Sequence, residues 1–253
     1  MDRDINTTIV AGLPIVTASR QEFVEIIEEV CTGTNKPTSP FIVFEANGHG
    51  ISMSILDKNF LFLLSQASAI VADGQSVVIG SKLFSPSTIS ERIAITDLIT
   101  DIPTLSDKPL KHFLLGGGDR IAADCGDILQ KRHANFLLSG SHKGHFTAAD
   151  SKRIISYIND NNPDILWVGL GKPTEQQWVI ENRHEIHAKV IITCGGCFNY
   201  VTGAYGRAPK WMQSLGLEWL FRLAENPKKL FWRYMTTNPL ALYAMIFFRR
   251  SRF

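Results

Sequence analysis

Short apolar runs alternate with helix-length segments along most of the chain, and this alternation limits the possible folds more than any other feature. The runs typical of strands are residues 8–10, 41–44, 69–72, 112–115, 135–138, 165–169 and 190–194. The segments typical of helices are residues 19–31, 50–66, 74–83, 120–132, 148–159 and 174–183. Strands joined through helices run parallel, and the helices cover both faces of their sheet. The pattern predicts an α/β fold with a mostly parallel, Rossmann-like sheet and helices on both faces.

The first of these helices carries its own start signal. Ser19 is followed three residues later by Glu22, which is the spacing of a capping box. Phe23 and Ile27 then recur at helical spacing on one face. We therefore expect an amphipathic helix over residues 19–31 that begins at Ser19.

Charge is distributed unevenly along the chain. From Arg207 onward there are nine Lys or Arg and two Asp or Glu, whereas residues 1–206 hold seventeen basic and twenty-two acidic residues. We divide the chain into an α/β body, residues 1–203, and a helical, basic and aromatic C-terminal appendage, residues 204–253. Such an appendage indicates an anionic partner. The four cysteines are few and scattered, so we expect buried, reduced thiols rather than a metal site.

The end of the appendage is apolar but short. Residues 239–248, PLALYAMIFF, precede Arg249, Arg250 and Arg252, whereas a membrane-spanning helix needs about 20 apolar residues. Two compatible alternatives stay open: an interfacial helix on an anionic membrane surface, or a helix docked on the body or on a second subunit of a homo-oligomer. Either alternative suits this apolar run better than a role in binding nucleic acid. No apolar signal core follows the N-terminus, so we expect a cytoplasmic protein, peripheral on the inner face of the membrane.

Three predicted strands end in glycines that lead into a helix. They are the strands before Gly116-Gly117-Gly118, before Gly169-Leu170-Gly171 and before Gly195-Gly196. Glycine there lets a phosphate approach backbone N–H groups at a helix N-terminus, although it also serves simply to make a tight turn. The spacing of a dinucleotide-binding fingerprint is absent, which argues against a nicotinamide or flavin cofactor.

Polar side chains follow two other predicted strands. Asp73 comes directly after the run at residues 69–72, and Asn47 follows the run at residues 41–44. Carboxyl ends of strands in an open α/β sheet face the ligand crevice, so both residues are candidates for the site. Each has an alternative as a helix N-cap, since Asp and Asn are favoured there.

Several short motifs also occur in order along the chain. They are Asp73-Gly74, Glu91-Arg92 with Asp97, Leu115-Gly116-Gly117, Gly169-Leu170-Gly171 with Pro173, Trp178, Arg207-Ala208-Pro209, Gly216-Leu217-Glu218-Trp219 with Arg222, and Arg233-Tyr234. Together they resemble the WecG/TagA/CpsF family of bacterial glycosyltransferases, from about Asn47 to Tyr234. The resemblance covers most of the chain.

The resemblance implies an inverting glycosyltransferase that needs neither a metal nor a cofactor. It would move a hexosyl or N-acetylhexosaminyl group from a UDP-sugar donor to a polyprenyl-diphosphate-linked saccharide, in the synthesis of a surface or extracellular polysaccharide. By resemblance, Asp73 is the general base that deprotonates the acceptor hydroxyl. Cations would neutralise the leaving diphosphate, and the candidates are Arg92, Arg207, Arg222, Lys229 and Arg233. The other predicted substrate-binding residues are Glu45, Asn47, Asp97, Gly116, Gly117, Gly171, Glu175 and Gln176.

The chain departs from the family pattern at several positions. Glu45 stands where the family usually has Thr, and Glu175-Gln176 reverses the usual Gln-Glu order. The other departures are Phe198-Asn199-Tyr200 for Phe-Asp-Phe, Lys229 for Arg, and Arg233 one residue out of register with a second typical Arg. These changes keep an alternative open, a non-catalytic nucleotide-sugar sensor or assembly scaffold of the same fold.

Overall fold

The computed structural model of the protein describes residues 5–33 and 39–253. Its strands are β1 (Thr7–Val10), β2 (Leu13–Val16), β3 (Phe41–Ala46), β4 (Ala69–Ala72), β5 (Leu110–Gly116), β6 (Phe136–His142), β7 (Ile165–Gly169) and β8 (Val190–Thr193). Six of them form one sheet in the order β4-β3-β8-β7-β5-β6. Every neighbouring pair in that sheet runs parallel. The predicted parallel α/β sheet is confirmed.

The first predicted strand does not join this sheet. Strand β1 pairs antiparallel with β2 in a separate two-stranded ribbon, and the pattern missed β2 altogether. Ala11 and Gly12 connect the two strands with φ of 54° and 79°, the positive angles that a tight two-residue hairpin requires. Pro14 lies in β2 and obscured it in the sequence. A proline is tolerated in such a strand because the ribbon has only edges.

Helices surround the sheet. Those of the body are α1 (Arg20–Thr32), α2 (Gly48–Leu56), α3 (Lys58–Ser65), α4 (Gln75–Phe84), α5 (Ile95–Leu105), α6 (Ile121–Arg132), α7 (Ser151–Asp160), α8 (Thr174–Asn182) and α9 (Cys197–Val201), with one 3₁₀ turn at Ala148–Asp150. Those of the appendage are α10 (Lys210–Ser214), α11 (Glu218–Glu225) and α12 (Pro227–Phe247).

Successive residues of a strand belong to two separate hydrophobic cores, one on each face of the sheet. Leu166 and Val168 of β7 join the core that contains side chains of α2, α3, α4, α7, α8 and α12. Ile165 and Trp167 of the same strand join the core that contains side chains of α1, α5, α6 and α9. Because strand side chains alternate between faces, a strand in the middle of a sheet covered by helices on both sides is buried along its whole length, as β7 is. The predicted three-layer arrangement is confirmed.

Of the helix predictions, one is confirmed in detail, one is wrong, and a further helix was not predicted. The capping box of α1 is present, since the amide of Glu22 donates to Ser19 Oγ at 3.2 Å and the amide of Ser19 donates to Glu22 Oε2 at 2.7 Å. The single helix predicted over residues 50–66 was wrong. It is two helices, because Asp57 adopts an extended conformation and its side chain caps α3 by accepting from the amide of Asn59 at 2.8 Å. Helix α5 was missed.

The appendage packs on the body. Helix α12 lies against α2 and α4, and its residues Ala241, Ala244 and Met245 are buried in the core that these helices share. The hydroxyl of Ser52 in α2 donates to the carbonyl oxygen of Thr237 at 2.5 Å. One face of α12 is therefore docked on the body, which was one of the two predicted alternatives. The boundary at residue 203 stays a prediction.

Candidate active site

A cavity of about 400 Å³ lies between the sheet and the appendage. The residues that follow β3, β4, β7 and β8 line one side of it, and residues of α11 and α12 line the other. Carboxyl ends of parallel strands are where open α/β sheets bind their ligands. Residues of the body and of the appendage therefore line the cavity together.

Asp73 lies in this cavity directly after β4, with both carboxylate oxygens held. Its Oδ2 accepts from Asn47 Nδ2 at 3.0 Å, and its Oδ1 accepts from the amide of Ile95, the first residue of α5, at 3.0 Å. It does not cap α4, whose N-cap is Gly74. Burial raises the pKa of Asp73, but the charge of Arg92 and the hydrogen bond from Asn47 outweigh it and lower the pKa below its ordinary value. The group is an ionised carboxylate in a fixed orientation.

Asn47 connects this carboxylate to α2. Its Oδ1 accepts from the amide of Gly50 at 3.0 Å, so the predicted N-cap is present, while its Nδ2 donates to Asp73. A sugar contact by Asn47 stays a prediction. Because both ends of the amide are used, its orientation is fixed by hydrogen bonds.

Glu45 and Lys172 form an ion pair beside Asn47 at the end of β3. Lys172 Nζ lies 2.7 Å from Glu45 Oε1, and each side chain is 7% exposed. Glu45 Oε2 accepts from the hydroxyl of Thr193 at 2.7 Å. Burial lowers the pKa of Lys172, but the Glu45 carboxylate outweighs it and raises the pKa above its ordinary value. Lys172 therefore remains an ammonium ion inside the cavity.

Glu175 joins the loops that follow β7 and β8. Its Oε2 accepts from the amides of Gly171 and Gly195 at 2.9 and 3.0 Å. The side chain is fully buried, and burial together with the nearby charge of Glu45 raises the pKa of Glu175 well above its ordinary value. The carboxyl group thus fixes the two loops that line this side of the cavity.

Arginines from both parts of the chain meet around Glu218. Arg92 Nη2 of the body lies 3.0 Å from Glu218 Oε2, and Arg222 Nη2 of α11 lies 2.6 Å from Glu218 Oε1. Arg233 of α12 stacks its guanidinium 5.1 Å from the ring centre of Tyr234. Within the described residues, the Nε atoms of all three arginines are buried and have no hydrogen-bond partner. All three arginines line the cavity, where guanidinium groups are suited to bind an anion.

Eight of the predicted site residues line the cavity: Glu45, Asn47, Asp73, Arg92, Gly171, Glu175, Arg222 and Arg233. Gln176 is fully buried beside Glu175 and does not line it. Asp97 and Arg207 form an ion pair at 2.6 Å outside the lining. Gly116 and Gly117 pack at the end of β5, and Lys229 is exposed on α12.

Three of the polar lining residues outside the predicted set are notable: Lys172, Glu218 and His49. Lys172 directly follows Gly171, so a cation next to a glycine at a strand end was the available signal. Glu218, which the sequence presents as part of a family motif, is the carboxylate between two arginines. His49 carried no signal; burial, Lys172 and Arg233 lower its pKa to about 4, so it is neutral near pH 7.

The cysteines are all buried free thiols, as predicted. Cys194 and Cys197 border the cavity, and burial raises the pKa of both thiols well above its ordinary value. Over residues 5–33 and 39–253, no group of three or more His, Cys, Asp or Glu is placed to hold a metal ion.

The outer face of the appendage is apolar and basic. Trp232 is 73% exposed, and on the same helix Tyr243 is 50% exposed and Phe247 is 63% exposed. Arg249 and Arg250 are exposed just beyond its end. Among the helices of the described ranges, none is both long enough and apolar enough to cross a membrane.

The chain is similar to known glycosyl transferases over most of its length. The family model for the Glycosyl transferase WecG/TagA/CpsF family matches residues 8–252. An N-acetylglucosaminyldiphosphoundecaprenol N-acetyl-beta-D-mannosaminyltransferase of Bacillus subtilis (strain 168) is 26% identical over 254 residues, which cover 98% of this chain and 93% of the relative. The protein with the same name in Staphylococcus aureus (strain MRSA252) is 27% identical over 209 residues, 81% of each chain.

Proposed function

We propose, from the premise that this chain belongs to the WecG/TagA/CpsF family of glycosyl transferases, that it moves a sugar from a UDP-sugar donor to a polyprenyl-diphosphate-linked saccharide with inversion and without a metal. The observation that carries the proposal is the ionised Asp73 carboxylate, held by Asn47 and the amide of Ile95 in one cavity with three arginines. The B. subtilis and S. aureus relatives are named for transfer to an undecaprenyl-diphosphate-linked sugar.

Asp73 would act as the base. A carboxylate has about four acceptor positions, and two are used, so a substrate hydroxyl can bind to those that remain. A lowered pKa keeps the group ionised, and it can take the proton as the new C–O bond forms. The hydroxyl oxygen attacks the anomeric carbon opposite the leaving UDP, and one displacement of this kind inverts the configuration.

The arginines would stabilise the leaving diphosphate. Arg92, Arg222 and Arg233 all line the cavity, and guanidinium groups suit phosphate oxygens. Two of these arginines come from the appendage, so its docking on the body would assemble the charge needed for reaction. Cations of this kind neutralise the diphosphate without a metal.

The appendage would also bring the site to its lipid-linked acceptor. Exposed Trp232, Tyr243 and Phe247 on α12, followed by exposed Arg249 and Arg250, form the kind of surface that binds the interface of an anionic membrane. This supports a peripheral position on the cytoplasmic face of the membrane, with no nucleic acid partner. A homo-oligomer stays a prediction.

A second candidate is a nucleotide-sugar sensor or scaffold of the same fold. The Glu45–Lys172 pair favours it, because this pair changes the cavity where the family usually has Thr. A sensor would bind the donor without turnover. The two candidates therefore differ in one measurable outcome.

The test is acceptor-dependent UDP release by the full-length protein, with a panel of UDP-sugars, a short-chain polyprenyl-diphosphate-sugar acceptor and EDTA. We expect turnover that EDTA does not reduce. Asp73→Asn should lower kcat by about 10²- to 10⁴-fold, the usual contribution of a general base. Asp160→Asn, at an exposed position at the end of α7, is the matched control and should retain wild-type kcat.

Each other outcome contradicts a specific part of the proposal. Full activity of Asp73→Asn removes the assigned base while leaving the reaction class. Loss of activity with EDTA removes metal independence. Donor binding without turnover, when the correct acceptor is present, favours the sensor. Retention of anomeric configuration in the product excludes the single displacement.

A further inference from the structure

The Glu45–Lys172 pair lies close to the proposed base but belongs to none of the steps above. Glu45 lies near the end of β3 and Lys172 lies in the loop after β7, and their charged atoms are 2.7 Å apart. Gly50 is close to both Lys172 and Asn47: a β-carbon there would be 3.4 Å from Lys172 Nζ and 3.7 Å from Asn47 Oδ1. Since Asn47 holds Asp73, the pair lies next to the place where the reacting sugar must sit.

The position of the pair is fixed from several sides. Thr193 Oγ1 donates to Glu45 Oε2, so one carboxylate oxygen points to β8 and the other to Lys172. Both groups are 7% exposed, and both line the cavity. The ammonium group has three donors and the carboxylate about four acceptor positions. The pair can therefore give and accept further hydrogen bonds from a ligand.

The charge of Lys172 is already paired before any ligand arrives. Lys172 is paired with Glu45, and Arg92 and Arg222 share Glu218. Asp73 brings another ionised carboxylate to the same lining. A carboxylate on the bound sugar would thus meet the negative charges of Glu45 and Asp73, while the charge of Lys172 is already neutralised by Glu45. An uncharged sugar would meet a neutral pair of donors and acceptors.

We propose that Glu45 and Lys172 form a specificity element that selects donors with an uncharged sugar and rejects uronic acids. This rests on the proposed UDP-sugar donor function. Hydroxyl or acetamido groups of the transferred sugar bind to the pair, Lys172 as donor and Glu45 as acceptor. Glu45 has a second effect: its negative charge cancels that of Lys172, which would otherwise attract a sugar carboxylate.

The test measures dissociation constants, so it does not depend on turnover. UDP-glucose and UDP-glucuronate differ only at carbon 6 of the sugar, and the UDP forms of N-acetylmannosamine and its uronate provide a second pair. Calorimetry with the full-length protein gives the ratio of uronate to neutral dissociation constants. We expect a ratio of at least about 10 in at least one pair, since a site built for one polar group discriminates strongly against a mismatched one.

Two variants separate specificity from structure. Glu45→Gln keeps the shape and an acceptor for Thr193 but frees the charge of Lys172, so the ratio should fall by about tenfold or more. Lys172→Met leaves the carboxylate of Glu45 alone, so neutral donors should bind more weakly while the uronate stays excluded. Glu181→Gln, an exposed residue on α8 that contacts Gln177, is the matched control and should leave the ratio unchanged.

The outcomes distinguish this inference from the proposed function. Equal binding of neutral and uronate donors, or an unchanged ratio in Glu45→Gln, overturns the specificity element and leaves the transferase proposal intact. A parallel loss for both members of each donor pair in both variants shows a structural role only and also overturns it. If neither UDP nor any UDP-sugar binds, the proposed donor fails and the inference fails with it.

Discussion

The glycines that follow β5 and the glycines that follow β7 are alike in the sequence but have different neighbours in the fold. A β-carbon on Gly116 would lie 2.3 Å from the carbonyl oxygen of Gly169, and Gly116 has a φ of 148°. Gly171 has a φ of 82°, has no atom within 4 Å of its β-carbon position, and lines the cavity. Gly116 lets the backbones of β5 and β7 approach each other, whereas Gly171 leaves space for a ligand.

The side chains around the two strand ends follow the same division. Next to β7 and β8, the ionisable side chains of Glu175 and Lys172 line the cavity. Next to β5, Gly144 donates its amide to the carbonyl oxygen of Gly117 at 2.9 Å, and a loop covers the glycines. A glycine at a strand end therefore indicates close approach of some group. Its neighbours in space decide whether that group is backbone or ligand.

The largest expected effect is a loss of stability when the close packing at the end of β5 is disrupted. Gly116→Ala should lower the free energy of unfolding by at least about 3 kcal/mol, because backbone atoms must move and the positive φ is strained. Urea denaturation measures this loss, provided that the m-value is the same in the variant and in the wild type. A loss below about 1 kcal/mol would mean that β5 and β7 separate readily, and the comparison above would not hold.

The next effect tests the charge at the cavity side. If the proposed reaction is correct, Arg222→Ala should lower kcat/KM by about 100-fold, because the leaving diphosphate loses a buried guanidinium. Lys229→Ala, at an exposed position outside the lining, should change it less than about threefold. Equal losses in the two variants would show that the appendage acts through total charge. Melting temperatures of both proteins control for misfolding.

A smaller effect concerns His112, a fully buried residue of β5. Burial lowers its pKa to about 3, below the unfolded value, so the folded state binds fewer protons. Stability is therefore fully present above about pH 6.5 and is lost as the pH falls, by roughly 1.5 kcal/mol between pH 6.5 and 5. His112→Phe should flatten this dependence in urea titrations, at the cost of the acceptor for Trp167 Nε1. An unchanged slope would assign the acid sensitivity to other groups.

The smallest expected effect is at the open glycine. Gly171→Ala should cost about 1 kcal/mol of stability, for its positive φ alone. Gly203→Ala is a matched control with a φ of 78° and an equally open environment outside the cavity. The two should be equally stable, but only Gly171→Ala should weaken donor binding. Equal affinities would remove Gly171 from the proposed site.

Much of the architecture could be predicted because it follows from periodicity. Short apolar strands such as residues 165–169 were found at their observed bounds, since a buried parallel strand is apolar throughout. The Ser19 and Glu22 capping box was predictable because it depends on residues three apart. The break at Asp57 was not, because it required a side-chain hydrogen bond to win against a continuous apolar pattern.

The sequence by itself determined the fold class, the family and the position of Asp73 at a strand end, because these depend on local patterns along the chain. Only the tertiary structure decided which charged groups meet. Lys172 joins Glu45, and Arg92 joins Arg222 through Glu218, across separations of more than a hundred residues. The physical reason is that charge pairing depends on distance and burial in space. Neither is written in the spacing of residues along the chain.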